Sequence, residues 1–415
     1  MHIVVLGAGI VGVTTAYELS KDGHQVTVVD RQPLAANETS YGNAGMIAPG
    51  HALTWASPKA PMILLRSIVQ SDQALRLKLS ADPRMWAWCL RFLAQCTAPK
   101  SRANTLRKLA LCQYSQECLG ETVAATGVSY DRRTDGILYL FRDAQSFDKG
   151  AERAKILEEG GQTLERLDFD GVVGVDAALA GARDTIHGGL YCPTDETGDC
   201  HAFTNGLVEV CRERGVDFRF DTTITKVVTD GEQVVAVETD GEPVHGDGFV
   251  LSLGSQSPAV GRRIGVRLPI YPVKGYAVTL PVKNNNVAPK VAAVDENVLV
   301  AYTPMGERVR MTATAELSGY GTAHKPADFT TALGVARALF PDACDFDRAS
   351  YWSGLRPMTP EGTPVLGRAR YRNLYVNTGQ GHMGWTMSHG SARVTADLIA
   401  GRTPAIDVSG MAYAA

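Results

Sequence analysis

The sequence has no C-x-x-C pair, no apolar run of about 18 residues, no excess of basic charge and no repeat of fixed period. Its eight cysteines are scattered, which argues against a zinc site or a disulfide framework and favours reduced thiols in a cytoplasmic protein. We therefore expect no metal centre, no transmembrane helix and, because a strand pattern begins at residue 2, no secretory signal. Peripheral membrane contact is compatible with all of this. The formal charge of −3 does not indicate a nucleic-acid-binding protein, because such proteins carry an excess of basic residues.

The first residues, HIVVLGAGIVGVTTAYELSKDGHQVTVVDR, are typical of a nucleotide-binding βαβ unit. The pattern predicts strands at 3–6 and 25–29 around a helix at 11–21, with Gly7, Gly9 and Gly12 in G-x-G-x-x-G spacing. The helix N-terminus would offer N–H groups to a pyrophosphate. Asp30, at the end of the second strand, would accept hydrogen bonds from the ribose hydroxyls, and its charge disfavours a 2′-phosphate beside Arg31.

The predicted secondary structure changes several times along the middle of the chain. Residues 37–50, NETSYGNAGMIAPG, read as a loop, and residues 55–127 are mainly helical. There we interpret Trp86, Trp88 and Phe92 as core or helix contacts rather than a lipid-facing patch. A charged helix is predicted near 151–159. Strands separated by D-G turns dominate 217–253, residues 268–315 are again rich in strands, and a helix is predicted at 330–339.

A second glycine-rich turn lies near the other end of the chain. NLYVNTGQGHMGWTMSHGSARVTADLIAG predicts a strand at 374–377, a turn containing Gly379, Gly381 and Gly384, and a helix from Trp385 to Ala400. This helix N-terminus also points out of a glycine turn. Two such sites at opposite ends of the chain suit one long ligand, and a flavin dinucleotide fits that description.

Six motifs in order carry a resemblance to a known family. After the first glycine motif come TSYGNAGMI, DETGDC, KGYAVTL, SGLRPMTPEGTPVLG and NTGQGHMGWTMSHGS. In this order the chain resembles the FAD-dependent D-amino-acid oxidase superfamily over nearly its whole length, and within it the bacterial D-amino-acid dehydrogenase family. The resemblance implies noncovalent FAD, oxidative deamination of D-amino acids to 2-oxo acids and ammonia in amino-acid catabolism, and electron delivery to a quinone or other acceptor.

The resemblance also assigns residues to the cofactor. It implies that the backbone of Val227 contacts adenine and that Gly254, at the end of a strand, lies next to the cofactor. It also implies that the loop and helix residues after each glycine turn contact the cofactor. The full set is Gly7, Ala8, Gly9, Ile10, Val11, Gly12, Asp30, Arg31, Ser40, Asn43, Ala44, Gly45, Met46, Val227, Gly254, Gly379, Gly381, His382, Gly384, Trp385 and Thr386.

The chemistry requires a clamp for the substrate carboxylate and a group that helps the amine lose its proton. The resemblance implies that Arg356, in the sequence WSGLRPMTP, is the clamp, and a guanidinium suits a carboxylate because it binds in two places at once. Tyr276 and Tyr302 lie on strands that we expect to form the floor of the substrate pocket, and Lys274 is a further candidate on the strand of Tyr276. His51, after the GMIAPG loop, is a candidate base.

We therefore expect a mixed α/β fold with a Rossmann-like FAD domain interleaved with a substrate domain that holds an antiparallel sheet and helices. The predicted FAD domain comprises residues 1–50, 190–267 and 345–415, and the substrate domain comprises 51–189 and 268–344. Alternatives of the same fold are an enzyme for secondary amines or imino acids (D-proline, a hydroxyproline isomer, glycine or sarcosine) and an oxidase that uses oxygen. These motifs do not separate them, because selectivity depends on pocket shape. The sequence indicates no subunit count.

Overall fold

The computed structural model describes residues 1–69 and 75–414, and its elements are named here in chain order. The strands of this part of the chain are β1 His2–Leu6, β2 Gln25–Val29, β3 Met46–Ile47, β4 Leu75–Leu77, β5 Ile137–Phe141, β6 Glu165–Asp168, β7 Gly188–Cys192, β8 Glu196–Thr197, β9 Asp217–Arg219, β10 Ile224–Asp230, β11 Gln233–Thr239, β12 Val244–His245, β13 Gly248–Leu251, β14 Tyr271–Pro281, β15 Ala292–Asp295, β16 Val300–Met305, β17 Arg308–Leu317, β18 Ser350–Met358, β19 Val365–Arg368 and β20 Leu374–Thr378. The α-helices are α1 Ile10–Lys21, α2 Ala60–Val69, α3 Pro83–Gln95, α4 Ala98–Thr126, α5 Ala144–Glu159, α6 Phe169–Val175, α7 Cys200–Glu213, α8 Ser257–Arg263, α9 Thr330–Leu339 and α10 Gly384–Ile399.

A six-stranded sheet forms the cofactor half, in the order β19-β20-β13-β1-β2-β9. All its pairs are parallel except β19 with β20. Strand β1 is buried on both faces, as its apolar sequence predicts. Ile3 and Val5 belong to the core beneath α1 and α7, whereas Val4 and Leu6 belong to the core shared with the three-stranded sheet β10-β11-β12.

A nine-stranded sheet forms the other half. Its order is β18-β14-β17-β16-β15-β5-β7-β6, and β4 pairs with β17. The pairs of β14 with β17 and β18 are antiparallel, and the core on one face is covered by α6 and α9. The expected mixed fold with a parallel sheet and a largely antiparallel one is confirmed.

The division into two domains stays a proposal, and strand membership bears on one of its boundaries. Strand β18 belongs to the nine-stranded sheet, although it falls in the segment 345–415 that we assign to the FAD domain. The reason is its antiparallel pairing with β14 along nine residues. A boundary just after Met358 suits the sheets better.

Two local predictions differ from the structure. The sequence pattern predicts a charged helix near residues 151–159, but helix α5 begins seven residues earlier, at Ala144, because Asp143 caps it by accepting a hydrogen bond from the Ser146 N–H at 2.8 Å. Trp88 and Phe92 are buried and stacked, as predicted, but Trp86 faces outward and is 41 % exposed. Within residues 1–69 and 75–414, no helix has the length and apolarity needed to cross a bilayer.

Candidate active site

A cavity of about 480 Å³ lies at the carboxyl ends of β1, β2 and β13 and reaches the wall formed by β14, β17 and β18. This is where parallel α/β sheets bind nucleotides. The predicted site residues that line it are Gly7, Gly9, Ile10, Val11, Asp30, Arg31, Ser40, Asn43, Ala44, Met46, His51, Gly254, Tyr276, Arg356, Gly381, His382, Gly384, Trp385 and Thr386. Those that do not line it are Ala8, Gly12, Gly45, Val227, Lys274, Tyr302 and Gly379.

The first glycine turn is shaped by close backbone packing. Gly7 has a φ of +108°, and a Cβ there would lie 2.7 Å from the carbonyl oxygen of Ser252. A Cβ at Gly12 would lie 1.9 Å from the carbonyl oxygen of Gly7, so Gly12 supports the turn from behind. The N-terminus of α1 is thereby held at the cavity, where its N–H groups can bind a pyrophosphate.

Asp30 presents its carboxylate at the same end. Oδ2 accepts a hydrogen bond from the Ala8 N–H at 2.6 Å, and Oδ1 accepts one from the Gln32 N–H at 2.8 Å. Burial raises the pKa of Asp30 above its usual value, against the effect of these two bonds. Arg31 is paired with Glu38 (Nε to Oε1, 2.7 Å), so its guanidinium is already neutralised by a carboxylate.

Residues 39–48 connect the two ends of the cavity. Ser40 Oγ accepts a hydrogen bond from the N–H of Ile10 at 3.2 Å, which ties this loop to α1. The buried Arg310, which sequence reasoning missed, donates from Nη1 to the Tyr41 carbonyl at 2.7 Å and thereby anchors the loop to β17. At the other end, the Ala48 N–H donates to Thr386 Oγ1 at 3.2 Å.

The C-terminal glycine turn forms the opposite end. Gly379 and Gly381 have φ values of +85° and +61°, conformations that favour glycine. Gly379 supports the turn from outside the cavity, where a Cβ would lie 2.9 Å from Thr359. Helix α10 begins at Gly384, so its positive end faces the cavity.

Several polar atoms of the cavity wall have no partner inside the described part of the chain. They are Ser252 Oγ, His382 Nε2 and Trp385 Nε1, and all three are buried. A buried polar atom without a hydrogen bond is uncommon and indicates a missing ligand or water. FAD fits this set of groups: the N-termini of α1 and α10, the Asp30 carboxylate and the three unpartnered polar atoms.

Arg356 lies on the wall opposite the cofactor turns. Alternate residues of β18, Trp352, Gly354 and Arg356, face the cavity. Burial lowers the pKa of Arg356 to about 10, which still leaves it charged at neutral pH. Among the ion pairs of residues 1–69 and 75–414, none includes Arg356. Arg356 donates from Nη1 to the Thr314 carbonyl at 2.9 Å.

Strand β17, which β14 separates from the strand of Arg356, is distorted at the residue that binds the guanidinium. Thr314 has a φ of +60°, which is strained for a β-branched residue, and it lies in a bulge where the register of β14 and β17 shifts. The bulge faces Gly275, where a Cβ would lie 2.5 Å from Arg356 Cζ. Sequence reasoning missed Thr314 because a threonine in a strand pattern gives no sign of a left-handed backbone.

Two residues predicted to be catalytic, Tyr302 and Lys274, lie outside the cavity, which contradicts both predictions. Tyr302 is in the core under α9, 4.9 Å from the Phe340 ring, because side chains alternate along β16 and its neighbour Ala301 takes the cavity side. Lys274 is buried, donates to the Ala323 carbonyl at 2.9 Å and lies 3.6 Å from a Glu316 carboxylate oxygen.

Tyr276 lines the cavity, but its hydroxyl donates to Glu316 Oε2 at 3.0 Å and so is not directed at a substrate. Burial and this carboxylate raise the pKa of Tyr276. Val227, which is predicted to contact adenine through its backbone, does not line the cavity. Val227 is buried in the core three residues into β10, and Ile224, at the start of that strand, lines the cavity instead.

An aromatic cluster surrounds the remaining wall. His51 lies parallel to Tyr139 at 5.6 Å, and its Nδ1 is 3.6 Å from Glu296 Oε1. His382 stacks on Trp55 at 4.8 Å. Burial lowers the pKa of His51 to about 4 and that of His382 well below 6.5, so both imidazoles are neutral at physiological pH.

Comparisons with known proteins agree with this geometry. The chain is 46 % identical over 414 residues to D-amino acid dehydrogenase 2 of Mesorhizobium japonicum, covering 100 % of both chains. It is 44 % identical to the D-amino acid dehydrogenase of Agrobacterium fabrum, covering 99 % of both. In fold it resembles glycine oxidase from Bacillus cereus, with a TM-score of 0.75, 21 % identity and 96 % and 95 % of the two chains covered.

The family profile described as FAD dependent oxidoreductase matches residues 2–398. This match spans both sheets, both glycine turns and Arg356. The resemblance seen in the sequence is thereby confirmed, and the chain belongs to the family of FAD-dependent oxidoreductases.

Proposed function

We propose that the protein is an FAD-dependent dehydrogenase that deaminates D-amino acids to 2-oxo acids and ammonia. The observation that carries this proposal is Arg356, a charged guanidinium on the cavity wall without a carboxylate partner among the described residues. A substrate carboxylate would supply that partner. The names of the relatives, which are 42–46 % identical to this chain over its full length, support the same substrate class.

Arg356 would hold the substrate in a fixed orientation. Its Nη1 donates to the Thr314 carbonyl, and the remaining N–H donors of the guanidinium can meet both carboxylate oxygens. Gly275 leaves the space that the guanidinium occupies. A carboxylate fixed in two places restricts rotation of the α-carbon, which is the main contribution that positioning makes to such a reaction.

His51 would bind the substrate amine rather than remove its proton, because burial lowers the pKa of its imidazole to about 4 and so makes it a weak base. Its imidazole is neutral, and Nδ1 faces Glu296, which leaves Nε2 to accept a hydrogen bond from the substrate ammonium. Trp55 lines the same wall and would exclude water from this end of the cavity.

When bound, FAD supplies the hydride acceptor at its N5. We propose that the predicted cofactor residues lining the cavity hold it noncovalently, with Asp30 at the ribose and the N-terminus of α10 at the pyrimidine end of the flavin. That helix end would stabilise the negative charge of the reduced state. The imine product would hydrolyse to the 2-oxo acid.

We further propose that the electrons pass to a quinone or another acceptor rather than oxygen, and that the protein contacts the cytoplasmic face of the membrane peripherally. The relatives are named dehydrogenases, which supports the first point. The eight cysteines are unpaired and buried, which supports a reducing compartment.

Anaerobic titration of the yellow holoprotein tests the reaction. Single D-amino acids should bleach the visible flavin absorbance, whereas L-amino acids, D-proline and sarcosine should not. Bleaching by sarcosine or D-proline alone would favour the secondary-amine alternative, and bleaching by L-amino acids alone would refute the stereochemical assignment. Comparing dye reduction with oxygen consumption then separates a dehydrogenase from an oxidase.

A further inference from the structure

One region of the surface is unusually apolar. Thirteen large apolar side chains are exposed among residues 1–69 and 75–414, and seven of them fall between positions 62 and 93. We call this set the apolar patch: Met62, Ile63, Leu65, Leu79, Trp86, Leu90 and Leu93. Each is between 38 % and 68 % exposed. Apolar patches of this kind mark sites where another surface binds.

Helix α3 contributes to the patch because it is apolar on two faces. Its inner face, with Met85, Trp88 and Phe92, packs in a buried cluster under β14. Its outer face repeats at positions 86, 90 and 93, which is one helical stripe. The indole N–H of Trp86 donates a hydrogen bond to the Ser80 carbonyl at 2.8 Å, and this bond holds the exposed ring in place.

Helix α2 covers the same buried cluster through Ala60 and Leu64. Its exposed residues Met62, Ile63 and Leu65 and the outer stripe of α3 therefore lie on two helices that pack on one buried cluster.

The charge around the patch selects its partner. Residues 55–105 contain eight Lys or Arg and only two Asp, with no Glu, although the whole chain has a formal charge of −3. Lys59, Arg91 and Lys100 are exposed and take part in none of the ion pairs found in the described part of the chain. Two copies of this surface would bring like charges together, whereas an anionic bilayer attracts the cations and accepts the apolar side chains.

We propose that the apolar patch and its cations dock the protein on an anionic lipid bilayer. This inference rests on the proposed function, because a lipid-soluble electron acceptor such as a quinone would be found in the bilayer. Helix α3, which carries part of the patch, also contacts the strand that holds Arg356: its buried Trp88 donates from Nε1 to the Met358 carbonyl at 2.9 Å, two residues after Arg356. A Cβ on Gly381, in the C-terminal glycine turn, would lie 2.9 Å from the Met358 sulfur.

Vesicle flotation of the holoprotein tests the docking surface. We expect binding to vesicles of phosphatidylcholine with a quarter phosphatidylglycerol, weaker binding to phosphatidylcholine alone, and release by high salt. The triple variant Ile63→Ser, Leu65→Ser, Leu90→Ser and the double variant Lys59→Glu, Arg91→Glu should each lower the partition coefficient by about tenfold or more.

Matched controls keep the test specific. Val287→Ser removes an exposed apolar side chain elsewhere, and Lys226→Glu reverses an exposed cation on the three-stranded sheet. Both should bind vesicles like the wild type, and all variants should keep the flavin spectrum and the dye-linked rate.

Three results would overturn the proposal. The wild type fails to float with anionic vesicles, the triple variant floats as well as the wild type, or the wild type is a dimer that the triple variant converts to monomer without any vesicle binding. Flavin bleaching is independent of all three. A protein that floats but is not bleached by D-amino acids would refute the proposed function and retain the docking surface.

Discussion

Replacing Arg356 by lysine keeps the positive charge but removes the fork of N–H donors. In the structure one donor of Arg356 already binds the Thr314 carbonyl, so a lysine that kept this contact would meet a carboxylate at a single point. Losing one charge-assisted hydrogen bond costs about 1.5–3 kcal/mol. That corresponds to roughly a 10-fold to 150-fold increase in KM for a D-amino acid.

Steady-state dye reduction measures this increase, and the flavin spectrum of the purified variant reports cofactor content, which should not change. Arg348→Lys is the matched control because Arg348 is exposed and lies outside the cavity lining. An unchanged KM in Arg356→Lys would refute the clamp. Loss of flavin from the variant would instead mean that Arg356 supports the cofactor.

Three further predictions concern the cofactor site and pH. Asp30→Asn should weaken FAD binding roughly 10-fold to 100-fold, because it removes the charged acceptor of the ribose hydroxyls, and titration of the apoprotein with FAD measures this. Gly12→Ala should destabilise the protein by about 1–3 kcal/mol, because its Cβ would collide with the Gly7 carbonyl; a thermal melt that matches the wild type would contradict the packing. Burial lowers the pKa of His389 to about 3 in the folded protein. As the pH falls below 6.5, His389 therefore becomes protonated in the unfolded chain but stays neutral in the folded one. The free energy of unfolding of the wild type should therefore fall by about 2 kcal/mol more between pH 6.5 and 5 than that of His389→Gln, as measured by urea titration.

The cofactor half was largely predictable because it depends on local signals. A glycine turn, a buried strand and a helix N-terminus are encoded within about thirty neighbouring residues. The structure accordingly has Ile10–Lys21 and Gln25–Val29 where the pattern predicts a helix and a strand. The same holds for the strand Leu374–Thr378 and the helix that begins at Gly384.

The substrate wall was less predictable because it depends on which face of a strand a residue occupies. Tyr302 and Ala301 are neighbours, and only the pairing of β16 in the finished sheet decides which of them faces the cavity. The bulge at Thr314 and the anchor at Arg310 arise from contacts between segments far apart in sequence. No short motif encodes either of them.

The strand order of the six-stranded sheet has a consequence for synthesis of the protein. One of its two central strands comes from residues 2–6, yet two other strands and the helix after the C-terminal glycine turn come from residues 365–399. A nascent chain that has not yet left the ribosome therefore lacks one end of the cofactor cradle. FAD capture should be a late event that follows translation, and fragments that stop before residue 374 should accumulate as colourless protein.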